Sequence, residues 1–324
     1  MHDEDLSAVV MAEDADIQRR AVVSSLLNEE RVDPLSSRVA LEIGAATVRG
    51  THRPHNTDHY LAIKISRGLE TVRTSLAETD YPPAFEEHAY AMIVADGIGS
   101  HGEGAHASRS ALSALAHLAI THGHWNVRGG SQAAEDIRAQ IQFFFHQVDE
   151  ALRLAGRAFP NTGLATSLTI AAIAGQDLFF TSVGHSKAFL FRRGRLTELT
   201  TTHTRKAQWS GALPASALEH AKRDLGHIVT KTIGGGSGDA EVDIKHIQLV
   251  HGDRLVLCTN GLTDGVSEDE IADSLAVRRS PDEDCRQLVD LAALGRSYDD
   301  ITVMVANYAL DFVPPTRLPS PPHG

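Results

Sequence analysis

Two stretches of this chain, TIAAIAGQDLFFTSV (169–183) and KAFLFRRGRLTEL (187–199), each carry two apolar runs joined by a tight glycine-bearing turn. Runs so closely spaced pair as antiparallel hairpins, because a parallel partner needs a crossover of a dozen or more residues. With the runs of these hairpins, at 166–173, 177–182 and 187–193, short β-branched runs lie near 39–48, 58–66, 89–95, 242–249, 253–258 and 301–308. Longer Ala/Leu-rich stretches predict helices near 105–121, 132–156, 215–224, 267–277 and 282–294. Ser280-Pro281-Asp282-Glu283 reads as a helix start, with proline early and acids in the first turn. Long helices follow only some of the strands, so the pattern is α+β, with helices packed on the outer faces of mainly antiparallel sheets.

The 324 residues are ample for a core without covalent staples. Two cysteines, Cys258 and Cys285, are too few for a disulfide framework or a structural zinc site, and their apolar neighbours predict buried free thiols. The balance of 30 basic against 42 acidic residues gives a net charge of −12, which argues against nucleic acid as the main partner and is compatible with hard cations. The acidic start MHDEDLSAVV lacks the basic and apolar regions of a signal peptide, and no apolar run is long enough to cross a bilayer. The expectation is a cytoplasmic protein without a membrane partner. Residues 1–38 read as a helical extension, 39–310 as the main domain, and the proline-rich 311–324 as a disordered tail.

The chemistry collects where apolar strands begin or end. AYAMIVADGIGS ends in Asp96-Gly97, and DRLVLCTNGLTDG ends in Asn260-Gly261 with Asp264 one turn later. RSYDDITVMV opens with Asp299-Asp300, and RPHNTDHYLAIKI opens with Asn56 and Asp58. Any single Asp-Gly or Asn-Gly is an ordinary turn. Four such ends on separate strands place carboxylates at one edge of a sheet, where they repel one another unless a cation neutralises them. The donors are all hard oxygens, which favours Mg²⁺ or Mn²⁺. Gly97-Ile98-Gly99-Ser100-His101-Gly102 also fits the dinucleotide-binding pattern G-x-G-x-x-G. No Asp or Glu occurs between Glu103 and Glu135 to serve the ribose, and hairpins argue against the parallel sheet that pattern needs.

In order along the chain, these motifs resemble the metal-dependent protein phosphatases of the type 2C (PPM) family. GTHRPHNTDHY is similar to the family's Arg-x-x-Asn-Glu-Asp segment and VADGIGSHGEGAHAS to its Asp-Gly-x-Gly-Gly-His segment. NTGLATSLTIAAI resembles the Gly-Thr-Thr strand, FTSVGHSKAFLF the Val-Gly-Asp-Ser-Arg hairpin, GDRLVLCTNGLTDGV the Ser-Asp-Gly-Leu-Thr-Asp strand end, and SYDDITVMV the final Asp-Asn-x-Thr strand. The resemblance implies a four-layer α-β-β-α sandwich with a two-metal site at one end. Carried over, Asp96 bridges two cations, Gly97 offers its carbonyl, Asp299 and the residue at 260 are ligands, and Asp58 holds metal-bound water. Arg53 binds the substrate phosphate and His101 assists proton transfer. Asp264 with position 185 marks a possible third-metal site.

Four positions depart from the family pattern: Asn260 for aspartate, His185 for aspartate, Thr57 for glutamate and Asp300 for asparagine. Asn260 keeps a ligating oxygen but loses a charge, which predicts weaker cation binding. Asp300 offers a nearby carboxylate in return, although neighbours on a strand face opposite ways. Thr57 is expected to alter a water-mediated contact. The resemblance implies a phosphatase acting on phosphoserine and phosphothreonine in proteins, opposite a Ser/Thr kinase; the alternative is a pseudophosphatase that binds or regulates phosphoproteins.

Overall fold

The structure is a computed structural model and describes residues 35–76, 85–99, 102–123, 131–159, 163–201, 203, 229–235, 242–295 and 297–310. The helices expected at 5–32 and 215–224, the tail from 311, and His101 lie outside these residues. Chain contacts divide the molecule into one unit of Met1–Pro34 with Gly68–Phe85, and a second of Leu35–Arg67 with Glu86–Gly324.

Two sheets are built almost wholly from residues of the second unit. One has strands β1 (Val39–Val48), β11 (Ile301–Leu310), β10 (Arg254–Cys258), β6 (Lys187–Arg192) and β7 (Arg195–Glu198), adjacent in that order. The other runs β2 (Asp58–Leu69), β3 (Phe85–Ile98), β4 (Ala165–Ala174), β5 (Asp177–Val183) and β9 (Lys245–Gln248), with β8 (Ile233–Gly234) beside β4. The hairpins expected at 169–183 and 187–199 form as β4–β5 and β6–β7, both antiparallel. Helices α1 (Glu103–His122) and α2 (Ser131–Gly156) cover the second sheet. Helices α3 (Asn260–Gly265), α4 (Glu268–Ala276) and α5 (Pro281–Leu294) cover the first.

The period-2 alternation of side chains sorts each strand between two cores. In β3, Tyr90, Met92 and Val94 enter the apolar cluster between the sheets, while Ala91, Ile93 and Ala95 face the cluster beneath α1 and α2. In β11, Met304, Ala306 and Tyr308 point between the sheets, and Ile301, Val303 and Val305 point toward α3–α5. Every residue of β4 is buried, as expected of a strand covered on both faces. This is the four-layer sandwich the resemblance implied. Both cysteines are buried free thiols, and burial pushes each up to about 12, which leaves them unreactive near neutral pH.

Helices α4 and α5 begin with reciprocal capping boxes. Ser267 and Ser280 accept from the amides of Glu270 and Glu283, whose carboxylates accept from the serine amides in return. The structure adds elements the sequence reading missed, among them β8 and α3. Asn260 ends no strand but opens the short helix α3, with Thr259 as the linking residue after β10.

Candidate metal and phosphate site

Antiparallel pairing brings the site together. The end of β1 lies beside the start of β11, with Val48 opposite Ile301, and the end of β10 lies one strand further, with Cys258 opposite Val303. From β1 the chain crosses through residues 49–57 to β2 in the other sheet, where Asp58 is the first strand residue. The amide of Gly97 donates to the carbonyl of Thr57 at 3.2 Å, which joins the end of β3 to the start of β2. Gly97 also lies against the backbone of Gly104 in α1, leaving no space for a Cβ. Asp58, Asp96, Gly97, Asn260 and Asp299 therefore come from both sheets to one end of the sandwich.

Asp58 and Asp96 are 3% and 5% exposed, which is unusual for carboxylates. Asp58 Oδ2 accepts from Thr259 Oγ1 at 2.7 Å, whereas Asp58 Oδ1 is buried without a hydrogen-bond partner. Thr259 is itself fixed, its hydroxyl accepting from the Thr302 amide at 3.0 Å. Burial holds the Asp58 carboxyl well above the ordinary range, and the charge of Asp96 adds to that. Burial also raises Asp96, to about 8, reinforced by Asp299 and opposed by Arg53. His185 reaches Asp96, with Nε2 3.4 Å from Oδ2. The structure thus sets His185 beside the expected bridging carboxylate.

Arg53 and Asp299 form a close pair. Nε and Nη2 of the guanidinium lie 2.8 and 2.7 Å from Asp299 Oδ1. The Asn260 amide nitrogen donates to Asp264 Oδ2 at 3.0 Å and approaches Asp299 Oδ2 at 3.5 Å. Its carbonyl oxygen Oδ1 is buried and makes no hydrogen bond. Asn260 thus ties together two acids that a third carboxylate would repel, with its amide oxygen left for a cation. Among the described residues no three His, Cys, Asp or Glu side chains gather closely enough to form a ready metal cage. Asp299 is turned to Arg53. The donor set fits divalent cations nonetheless: two buried carboxylates make no direct lysine or arginine ion pair among the described residues, and two buried oxygens of the site have no donor.

Two expectations from the sequence change. Asp300 acts on the acid cluster only through its charge: its oxygens accept from the amides of Gly50 and Thr57 and from the Thr57 hydroxyl. Thr57 accordingly makes a direct hydrogen bond where a water-mediated contact was expected. Sequence reasoning also missed Ser108 on α1, whose hydroxyl donates to the Thr57 carbonyl at 2.6 Å. A serine among the small residues of an amphipathic helix carries no signal of such a role.

The description of the Stage II sporulation protein E (SpoIIE) family matches residues 86–309. The chain belongs to that family. Its fold is that of the metal-dependent PPM phosphatases. The SpoIIE-family chain is 28% identical over 230 residues to the serine/threonine protein phosphatase PstP of Mycobacterium tuberculosis, covering 68% of this chain and 42% of PstP. It is 28% identical over 218 residues to the serine/threonine phosphatase stp of Listeria welshimeri, covering 66% of this chain and 82% of that one. Among solved structures, the catalytic domain of PstP in complex with two manganese ions superimposes with a TM-score of 0.63 at 26% identity. That match covers 84% of this chain and 99% of the PstP domain. The chain therefore spans less than half the length of full PstP while matching nearly all of its catalytic domain.

Proposed function

We propose that this chain is a metal-dependent protein serine/threonine phosphatase that hydrolyses phosphoserine and phosphothreonine with two divalent cations, Mn²⁺ or Mg²⁺. The observation that carries the reading is the buried pair Asp58 and Asp96, raised by burial, with the charge of Arg53 offsetting only part of the rise at Asp96. Asp58, Asp96, the Gly97 carbonyl, the Asn260 amide oxygen, Asp264 and Asp299 are the groups that would hold the cations. When bound, the cations supply water acidified toward neutral pH and neutralise phosphoryl oxygens. The relatives named as Ser/Thr phosphatases, and the two manganese ions in the PstP domain, support this assignment.

The chain's own residues supply the rest. Arg53 presents a planar fork of donors suited to a phosphate, and it is half exposed beside the acids. Thr259 orients Asp58 and deprives it of one acceptor site, which leaves the other oxygen directed to the cluster. His185 stands beside Asp96, its Nε2 3.4 Å from the carboxylate. His101 remains a proposed proton carrier for the leaving hydroxyl. No helix among the described residues is long and apolar enough to cross a membrane. The reading includes phosphoprotein substrates made by a cellular Ser/Thr kinase, and a cytoplasmic location.

A second reading, a pseudophosphatase, is favoured by Asn260, which removes one charge, and by Arg53, which already neutralises Asp299. Hydrolysis of p-nitrophenyl phosphate and a phosphothreonine peptide, with Mn²⁺ and with Mg²⁺, separates the two. Turnover by the wild type that is lost in Asp96→Ala and raised in Asn260→Asp supports the enzyme. A silent wild type rescued by Asn260→Asp establishes the binding module.

A further inference from the structure

We propose that Asp300 is a positioning residue whose carboxylate fastens the loop of residues 50–57 across the mouth of the sandwich and so aims Arg53 at the site. The inference rests on the phosphatase reading only for what Arg53 does once aimed. Asp300 is 1% exposed. Its Oδ1 accepts from the Gly50 amide at 2.8 Å, and its Oδ2 accepts from the Thr57 amide at 2.8 Å and the Thr57 hydroxyl at 2.9 Å. One side chain thus receives the two ends of the loop that carries Arg53.

Other contacts seat the same loop. Gly50 lies so close to the main chain of Tyr298 and Asp299 that no Cβ fits there. The Thr47 and Thr302 hydroxyls lie 2.7 Å apart, and Asn56 Nδ2 donates to Thr47 Oγ1 at 2.8 Å. His52 packs on Tyr298 with ring centroids 4.7 Å apart. Arg53 turns back through its amide to the Gly50 carbonyl at 3.2 Å, directly over the anchored end.

The doublet Asp299-Asp300 therefore divides its labour. Asp299 faces Arg53, and Asp300 faces the loop backbone. Buried amides need acceptors, and an ionised acceptor binds them more strongly than a neutral one. Asparagine at 300 offers one oxygen and an NH₂, so at least one of the three donors meets another donor. In this chain, threonine at 57 and aspartate at 300 are a matched pair: the hydroxyl gives what the carboxylate takes.

The test needs a readout that does not depend on turnover. Phenylglyoxal modification of individual arginines, followed by peptide mass spectrometry, reports how firmly each guanidinium is held in the cation-free protein. Arg192, bound by Asp253 far along the chain, serves as the internal standard. In Asp300→Asn, Arg53 is expected to react about tenfold faster, the size of one lost charge-assisted hydrogen bond, with Arg192 unchanged. Thr57→Val should give a smaller acceleration, and Thr57→Ser should return the wild-type rate. With the phosphothreonine peptide, Asp300→Asn should raise KM by about the same factor with less effect on kcat. If Asp300→Asn fails to fold, the Thr57→Val and Thr57→Ser pair decides. An unchanged Arg53 rate in the folded variants, or acceleration of Arg53 and Arg192 alike, overturns the proposal. Loss of turnover in every form, wild type included, defeats the phosphatase reading while the modification rates still decide this one.

Discussion

Asp284 and Asp96 are both buried carboxylates, and the molecule accommodates them by opposite means. Asp284, on α5, is wholly buried and receives the guanidinium of Arg254, with Arg279 3.2 Å away on its other oxygen. Arg254 is itself satisfied by Asn307 Oδ1 and the Leu275 carbonyl, each at 2.7 Å. Asp96 has an imidazole at 3.4 Å, and the nearest arginine of the site is bound to its neighbour Asp299. Asp58, close by, has a threonine hydroxyl on one oxygen and nothing on the other. On the proposed reading, the contrast is between a structural acid and a functional acid within one fold. A buried charge with its counter-charge built in is tolerated by the native state and costly to orphan, and one without it is, on the proposed reading, completed by an external cation.

The largest expected effect breaks the structural member of the comparison. Asp284→Ala leaves Arg254 buried without its partner and should cost about 3–5 kcal/mol in denaturant unfolding. Mn²⁺ affinity of the folded fraction should be unaffected. Asp96→Asn should do the reverse. It removes a carboxyl that the cation-free fold must protonate near neutral pH, and should stabilise that form to heat, while hydrolysis falls by roughly 10²–10³, the scale of losing one preorganised electrostatic group. Asn260→Asp sharpens the contrast from the other side: one added charged ligand should tighten Mn²⁺ by about tenfold in calorimetry. It should also destabilise the cation-free protein, because Asp264 and Asp299 would then face a third carboxylate.

A further effect is a pH slope. Asp96 titrates near 8 when folded and in the ordinary carboxylate range, about 3.9, when unfolded. Between these values the folded state holds the additional proton. Stability of the cation-free protein from this group is therefore complete at acid pH and declines as the pH rises toward 8. Thermal melts across that range, with and without Mn²⁺, should show the decline flattened by the metal.

Much of the fold was legible because hairpin turns and period-2 alternation are local. The limits of β1 and the pairing of β4 with β5 follow from runs and turns that need no knowledge of the rest of the chain. Helix α3 was not legible, since NGLTDG is a turn by composition and becomes helical through burial of Leu262 against β10 and α5. In the site, the acids at strand ends were visible as a recurrence. Their division of roles was not: Asp299 and Asp300 are adjacent in sequence, and only the register of β11 decides which faces Arg53 and which holds the loop. The Thr259–Asp58 bond joins residues 201 apart, a distance at which sequence pattern carries no information. Placing His185 beside Asp96 likewise required the β5–β6 turn in three dimensions.

The central claim is that Asp58 and Asp96 are buried for an external cation. Its most direct test is calorimetric titration of the wild-type chain with Mn²⁺ at neutral pH, in two buffers of different ionisation enthalpy, alongside Asp96→Asn. The account predicts saturable binding reaching two ions at millimolar Mn²⁺, with protons released as Asp96 ionises, and loss of both features in Asp96→Asn. No saturable binding at millimolar Mn²⁺, or equal binding by the variant, would contradict it.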